Sequence, residues 1–259
     1  MRTCFLVFVV AASLIAASCA ASTPTPADNG GGIPRLSNGK PDLSGIWDRP
    51  RVQDMSESST TDLCANGIAG CKQEGPGELP FTEWGREKFS KAAAETLAFD
   101  PGIYCLPEGY VRSWATTYPA EIIQRPQRMA VLFENYGAFH VIPTDGREHP
   151  SSIEPSWFGN SVGHWEGDTL VVDTIGFNDK TWIDTAQHPH SEQLHVVERF
   201  TRTDAKHLGY EVTIEDPKVF TMPWKNTRVF MLMEKGQELM EHVCMENNKE
   251  VMDKVRGLR

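Results

Sequence analysis

The sequence predicts an all-β protein whose antiparallel strands follow one another as a meander and close into a barrel. From residue 122 onward, short strand-like runs recur, and turns containing Gly or Asp separate most of them. About eight such strands with mostly sequential neighbours would close most economically into a barrel, because closure removes exposed sheet edges. A sandwich of two sheets is the alternative arrangement.

Residues 1–20 are typical of an export signal. A positive residue, Arg2, precedes a short apolar run, and small residues follow it. Cleavage near Ala20 or Ala21 is one processing route. Lipidation of Cys19 as the first residue of the mature chain is the other route. Both predict a periplasmic or secreted protein, and the second adds a lipid anchor.

Residues 21–40 are rich in Pro, Gly and Asn and predict a flexible tether, whereas residues 41–259 are long enough for one β-barrel domain. The chain has 25 basic and 35 acidic residues and a formal net charge of −10. This balance argues against nucleic acid or an anionic membrane as a partner. After the export signal no apolar run is long enough to span a bilayer. A small-molecule ligand or substrate is the expected partner.

Four cysteines follow the export signal: Cys64, Cys71, Cys105 and Cys244. In an oxidising compartment an even number predicts two disulfides. Cys64 and Cys71 flank a Gly-rich loop and are expected to pair locally. Cys105 would then pair with Cys244 and tie an early loop to the last strand. A metal site made of all four is not expected, since no CxxC spacing occurs.

One peripheral helix is predicted over residues 83–97, with Thr82 as its N-cap. Its few apolar positions suggest that it packs on the outside of the barrel. Four hairpins are predicted after it. Their strand pairs are 128–134 with 138–143, 161–165 with 169–174, 194–201 with 208–215, and 228–234 with 238–245.

Alternation along residues 194–201 places Glu198 on the same face as Val196 and Phe200. Polar residues on both faces of this strand suit a barrel whose interior holds a ligand or a buried charge pair. An ordinary solvated face with one buried ion pair, formed by Glu198 and an arginine, is the alternative.

Three segments carry a resemblance to a known group: Pro41–Trp47, Val162–Asn178 and His188–Glu192. With them, the chain from about residue 40 to about residue 250 resembles a large, mostly uncharacterised group of exported bacterial proteins. Members of that group look like lipocalin-like, calycin-type β-barrels. The resemblance implies the barrel fold and an extracytoplasmic location, and it implies no particular reaction.

The twelve residues from Asp184 onward contain three histidines and two acids. Imidazole beside carboxylate is the chemistry of general acid/base catalysis near neutral pH. Asp184 or Glu192 could orient His188 or His190 and leave its outer nitrogen free to move a proton. His149 is a candidate partner on the opposite side of the pocket.

A divalent metal is the alternative use of the same segment. His188 and His190 could ligate it together with Glu192. The pattern looks like the HxH motif of cupins, in which a glutamate follows the second histidine by four or five residues. Here Leu194 and His195 occupy those positions, so the sequence departs from the motif.

Four further residues are candidates for substrate binding: Trp157, Trp182, His195 and Arg112. Aromatic faces line pockets for ring-shaped ligands, and a guanidinium can meet an anionic group. No glycine-rich phosphate loop occurs, and no cofactor is expected apart from the alternative metal. The leading hypothesis is therefore an exported lyase, isomerase or hydrolase that acts on a small cyclic or aromatic organic molecule.

A non-catalytic carrier of an apolar ligand is the main alternative, and an HxH-type metal-dependent barrel enzyme is the second. A carrier predicts a pocket lined by Trp, Phe and Met, with the histidines facing solvent. An enzyme predicts at least two of the candidate polar groups within about 3–4 Å of each other.

Overall fold

The computed structural model describes residues 32–95, 100–246, 249 and 253, and there the chain forms an all-β, lipocalin-like barrel. The export signal, Cys19 and the tether up to residue 31 lie outside the described residues. The strands are β1 (Gly45–Asp48), β2 (Lys72–Glu74), β3 (Ala120–Arg125), β4 (Arg128–Phe133), β5 (Phe139–Pro143), β6 (Asn160–Glu166), β7 (Thr169–Ile175), β8 (His195–Arg202), β9 (His207–Glu215) and β10 (Trp224–Leu232). The helices are α1 (Glu83–Glu95) and α2 (Tyr110–Ala115).

The strands form one antiparallel sheet in the order β5-β4-β3-β1-β10-β9-β8-β7-β6, and β2 pairs with β10. The order departs from a meander only where β1 lies between β3 and β10. The two end strands approach each other through their inward-facing side chains. His140 Nε2 of β5 lies 2.7 Å from Ser161 Oγ of β6, so the sheet nearly closes into a barrel.

Three of the four predicted hairpins are confirmed, as β4–β5, β6–β7 and β8–β9. The fourth is wrong in its second half, because among the described residues no strand follows β10. Residues 238–245 have irregular structure instead. β9 occupies one edge of β10, and β1 and β2 occupy the other, so a following strand finds no free edge to pair with.

Helix α1 begins at the predicted place, on the outside of the barrel. The Gly85 N–H donates to Thr82 Oγ1 at 3.0 Å, which is the expected N-cap bond. Phe89 of α1 stacks on Phe81 with ring centroids 5.4 Å apart. The described part of the helix ends at residue 95, and Leu97 lies outside the described residues.

Substitution of Thr82 by alanine is expected to reduce the free energy of unfolding by about 1 kcal/mol, because it removes this capping bond. Urea unfolding of the purified protein measures the change. Ser90→Ala, at an exposed position of the same helix, is the matched control and should change stability by a few tenths of a kcal/mol. Equal effects of the two substitutions would show that Thr82 does not act as a cap.

The interior of the barrel is filled by side chains, and α2 is buried there with all six of its residues. Trp114 of α2 is 0% exposed, and its ring contacts those of Phe133, Phe200 and Phe230 at centroid distances of 5.0, 5.5 and 5.8 Å. The guanidinium of the buried Arg49 donates to the Ser113 carbonyl at 2.7 Å. Arg228 donates likewise to the carbonyl of Trp114, also at 2.7 Å. These two cations therefore stabilise the C-terminal end of the buried helix.

Glu198 faces this interior on the predicted face of β8 and is 0% exposed. Its two oxygens accept hydrogen bonds from the hydroxyls of Tyr110 at 2.7 Å and Tyr210 at 2.8 Å. Burial raises the pKa of Glu198 to about 7, although the two tyrosine bonds and the charge of Arg228 favour the ionised form. The polar group predicted on this face is therefore held by tyrosines, with an arginine acting through its charge.

Both predicted disulfides are confirmed: Cys64–Cys71 and Cys105–Cys244. Cys244 lies beyond the last described strand rather than within it, since the predicted strand over 238–245 does not form. Two disulfides are typical of proteins from an oxidising compartment, such as the periplasm or the extracellular space. Within the described ranges, no helix combines the length and the apolar character needed to cross a membrane.

The end of the predicted tether, from residue 32 to residue 40, contacts the barrel. Arg35 donates to both carboxylate oxygens of Asp168, at 2.9 and 2.6 Å, in the β6–β7 turn. The Asp42 N–H donates to the Pro34 carbonyl at 2.8 Å. The described chain is thus attached to the barrel before β1 begins.

Candidate functional site

The connection between β7 and β8 contains a tight turn that directs His188 back towards Asp184. The Ile183 N–H donates to the His188 carbonyl at 2.8 Å, and the Gln187 N–H donates to the Asp184 carbonyl at 3.2 Å. Gln187 has a φ of 67°, in the left-handed region that non-glycine residues seldom adopt. The turn therefore places residues four apart in contact although they do not lie on a helix.

Asp184 and His188 form a buried carboxylate–imidazole pair. His188 Nδ1 lies 2.7 Å from Asp184 Oδ2, and the two residues are 3% and 0% exposed. The same oxygen accepts the Met55 N–H at 2.8 Å, and the other oxygen accepts the His188 N–H at 3.3 Å. Because the carboxylate accepts a bond from Nδ1–H, Nε2 is the nitrogen left to exchange a proton. Nε2 forms no hydrogen bond with any residue that the structure describes.

Asp54 is the third member of this site and was not predicted from the sequence. Its Oδ1 lies 3.8 Å from His188 Nδ1, and its side chain is partly exposed. The Ser56 N–H and hydroxyl donate to Asp54 Oδ1 at 2.7 and 2.6 Å and fix the carboxylate. One ligand atom from each of Asp54, Asp184 and His188 lies within 4.8 Å of the other two.

The surroundings of His188 combine burial with negative charge. Burial lowers the pKa of His188, but its hydrogen bond to Asp184 and the charges of Asp184 and Asp54 outweigh this effect, so the pKa is raised above its usual value of 6.5. Phe89 of α1 stacks on the imidazole at a centroid distance of 4.7 Å, and Phe81 lies at 6.0 Å. The ring of Phe89 covers one face of the imidazole, while the two carboxylates stabilise the imidazolium.

A polar cavity of about 290 Å³ lies on the Asp54 side of this pair. Its lining carries carboxylate, amide, hydroxyl and guanidinium groups, which suit a small molecule with several hydrogen-bonding positions. The lining residues are Arg51, Gln53, Asp54, Glu57, Ser58, Ser59 and Gln73.

A second cluster, on the outward face of β6 to β9, contains two of the predicted site residues. Asp173 lies between His149 Nε2, at 2.9 Å, and His195 Nε2, at 2.8 Å. Their other ring nitrogens face Asn160 Oδ1 at 2.8 Å and Glu215 Oε2 at 3.3 Å. The bond from His195 lowers the pKa of Asp173, and in return the pKa of His195 is raised. Since every ring nitrogen here has a partner, neither histidine offers a free one to a substrate.

His190 and Glu192 are not brought to His188. His190 Nε2 lies 2.6 Å from Thr181 Oγ1, its Nδ1 donates to the Ser191 carbonyl at 3.1 Å, and burial lowers its pKa. The Glu192 side chain is exposed and has no ion pair with a described residue. The His188–His190–Glu192 ligand set is therefore not assembled, because the turn before His188 directs the two histidines to different neighbours.

The other predicted substrate-binding residues lie elsewhere. Arg112 is buried between Asp100, at 2.9 Å, and Glu108, at 3.5 Å, so its charge is already matched. Trp157 accepts the Tyr110 N–H through its carbonyl at 3.2 Å, and Trp182 bridges to Pro189 in the turn that precedes His190. Neither tryptophan lines the polar cavity beside Asp54.

Two residues that matter here were missed from the sequence. Asp173 lies in a predicted strand. Alternation along that strand would have placed its side chain on the outward face, on the same side of the sheet as His195 of the adjacent strand. Asp54 lies in a long irregular segment, and nothing in its local sequence connects it to residue 184.

The site can thus supply one proton-transfer group, His188, with a carboxylate that orients it and a second carboxylate that faces a cavity. A scan against protein-family models and a search of the curated proteins find no match to this chain.

Proposed function

We propose that the protein is an exported enzyme in which Asp184 and His188 carry out acid/base catalysis on a small cyclic or aromatic organic molecule. The observation that carries this proposal is the 2.7 Å contact of Asp184 Oδ2 with His188 Nδ1, which leaves Nε2 without a hydrogen-bond partner among the described residues. The two disulfides and the signal-like residues 1–20 support export.

In this mechanism Nε2 of His188 accepts a proton from the substrate or from a water molecule and later returns it. The imidazolium that forms is stabilised by Asp184 and by the nearby charge of Asp54. Such a group serves elimination, isomerisation or hydrolysis without a covalent intermediate. The polar lining beside Asp54 favours a substrate that carries hydroxyl or carbonyl groups.

The filled interior of the barrel favours an enzyme over a carrier that would hold its ligand inside the barrel. The space in which lipocalin-like carriers hold apolar ligands is taken up here by α2 and the ring of Trp114. Moreover, His188 is buried rather than turned to solvent.

A divalent metal ion is the second candidate, favoured by the presence of a second carboxylate, Asp54, beside the Asp184–His188 pair. Asp54, Asp184 and His188 offer two oxygens and one nitrogen, a donor set that suits ions such as zinc or manganese. This candidate requires that Nδ1 of His188 carry no proton, whereas the acid/base pair requires a proton there. The two candidates therefore differ in the protonation of Nδ1.

Activity assays on a panel of lactones, aryl esters and β-hydroxy carbonyl compounds test the proposal. For any substrate that the wild type turns over, His188→Gln is expected to reduce kcat/KM by about 10²–10⁴, the usual contribution of a general acid/base. His164→Gln, which alters an exposed histidine, is the matched control and should retain full activity. Full activity of His188→Gln would contradict the proposal.

Elemental analysis separates the two candidates. Stoichiometric metal in the wild type that is lost in both His188→Gln and Asp54→Asn, but kept in Glu192→Gln, would establish the metal site. Metal-free protein that is active in the assay would leave the acid/base pair.

A further inference from the structure

The chain after β10 forms a strap, residues 239–245, that lies across the turn between β4 and β5. The Cys105–Cys244 disulfide holds one end of the strap. Along its length, the Met240 N–H donates to Glu134 Oε2 at 2.8 Å, and His242 Nδ1 accepts the Tyr136 N–H at 2.9 Å. The strap is therefore attached at three points without joining the sheet.

Two cavities lie along the strap, with volumes of about 670 and 490 Å³. Both lie in the size range of small-molecule sites. They share the wall formed by residues 137–139 and by His242 and Val243, so they form one groove. The larger cavity includes Ala130 and Leu132, on the outward face of β4, so this part of the groove lies outside the packed barrel interior.

The walls of this groove are apolar side chains that remain open to solvent. Phe139 is 69% exposed, Met240 72% and Val243 47%. Clustered exposed hydrophobic residues of this size commonly mark a binding surface. The rings of Phe139, Tyr136 and Phe158 add aromatic faces to the smaller cavity.

The charged groups of the groove are all of one sign. Glu134 and Glu241 line the larger cavity and Glu108 the smaller one, and the lining residues that the structure describes include no lysine or arginine. Arg112 lies behind Glu108, but its guanidinium is shared with Asp100, which lies closer to it, at 2.9 Å compared with 3.5 Å. An apolar cation complements such a groove, since carboxylates attract its charge and aromatic faces attract it further.

We infer that the groove under the strap binds an organic cation with an apolar body, such as an ammonium ion attached to an aromatic ring. This inference goes beyond the proposed reaction at His188 and does not depend on it. The ammonium group would lie between the carboxylates and the rings of Phe139 and Tyr136, and the hydrocarbon part would cover Met240 and Val243.

Isothermal titration calorimetry with three ligands that share one ring tests this inference. The ligands are benzyltrimethylammonium, benzyl alcohol and phenylacetate. Burial raises the pKa of Glu108, so the titrations are made at about pH 8, well above the usual pKa values of carboxylates. We expect saturable binding of the cation, weaker binding of the alcohol and none of the anion. Equal affinities, or no saturable binding of the cation, would overturn the inference.

Substitutions of exposed residues test where the cation binds without a risk to folding. Phe139→Ser and Glu241→Gln are each expected to weaken binding of the cation by about fivefold or more, because each removes one attraction. The matched controls are Ile123→Ser and Glu238→Gln, which are also exposed and line neither cavity, and they should bind as the wild type does. Equal loss in variants and controls would place the binding elsewhere.

His188→Gln should leave the affinity for benzyltrimethylammonium unchanged. If the groove fails to bind the cation while His188→Gln abolishes activity, only the present inference is wrong. If the groove binds the cation while His188→Gln keeps full activity, only the proposed reaction is wrong.

Discussion

Replacement of Trp114 by alanine is expected to lower the free energy of unfolding by about 4 kcal/mol, the usual cost of removing a large buried aromatic side chain. The indole is 0% exposed, lies within 6 Å of the rings of Phe133, Phe200 and Phe230, and lies 5.5 Å from the guanidinium carbon of Arg49. Its loss would open a cavity at the centre of the barrel that neighbouring rigid rings cannot fill.

Chemical unfolding followed by circular dichroism measures this effect. Trp84→Ala is the control, because Trp84 is only partly buried and packs on the outside of the barrel. We expect it to cost much less than Trp114→Ala. A loss below about 1 kcal/mol for Trp114→Ala would show that α2 does not fill the barrel, since such values are typical of surface substitutions.

The second large effect concerns the pH dependence of stability, through Glu198. Its pKa rises from 4.5 to about 7 on folding, so between these values the folded state binds more protons than the unfolded state does. The contribution of Glu198 to stability is therefore greatest below about pH 4.5 and falls as the pH rises to about 7. The full decrease is about 3 kcal/mol, because each unit of pKa shift corresponds to about 1.4 kcal/mol.

The difference in unfolding free energy between wild type and Glu198→Gln isolates this contribution. Relative to the wild type, the variant should become more stable by about 3 kcal/mol as the pH rises from about 4 to about 8, because the amide does not ionise. Glu166→Gln, at an exposed ion pair, should show little change of this kind. A constant difference between Glu198→Gln and wild type across this range would show that folding does not shift the pKa of Glu198.

Much of the fold could be predicted because strand alternation and turn residues act locally. The β6–β7 and β8–β9 hairpins are each defined by a short turn between two alternating runs. The false strand at 238–245 shows the limit of such patterns. Its residues resemble a strand, but whether a strand forms depends on a free edge, which is decided by the position of β1 far earlier in the chain.

The site was predicted only in part, for a related reason. Asp184 and His188 are four residues apart, so one turn can join them, and the sequence indicates the pair. Asp54 comes to them through an irregular segment whose anchor to Asp184 is the Met55 N–H, across a sequence separation of 129. Sequence spacing likewise suggested that His188 and His190 act together. The turn with the left-handed residue Gln187 instead gives the two histidines different partners.

The most direct test of the proposed acid/base pair is the protonation state of His188, measured by ¹⁵N-resolved NMR during a pH titration. The structure predicts that Nδ1 keeps its proton throughout and that His188 titrates above 6.5. In Asp184→Asn the pKa should fall below 6.5, because burial then outweighs the remaining charge of Asp54. A wild-type His188 that titrates below 6.5, or whose Nδ1 carries no proton at neutral pH, would contradict the account.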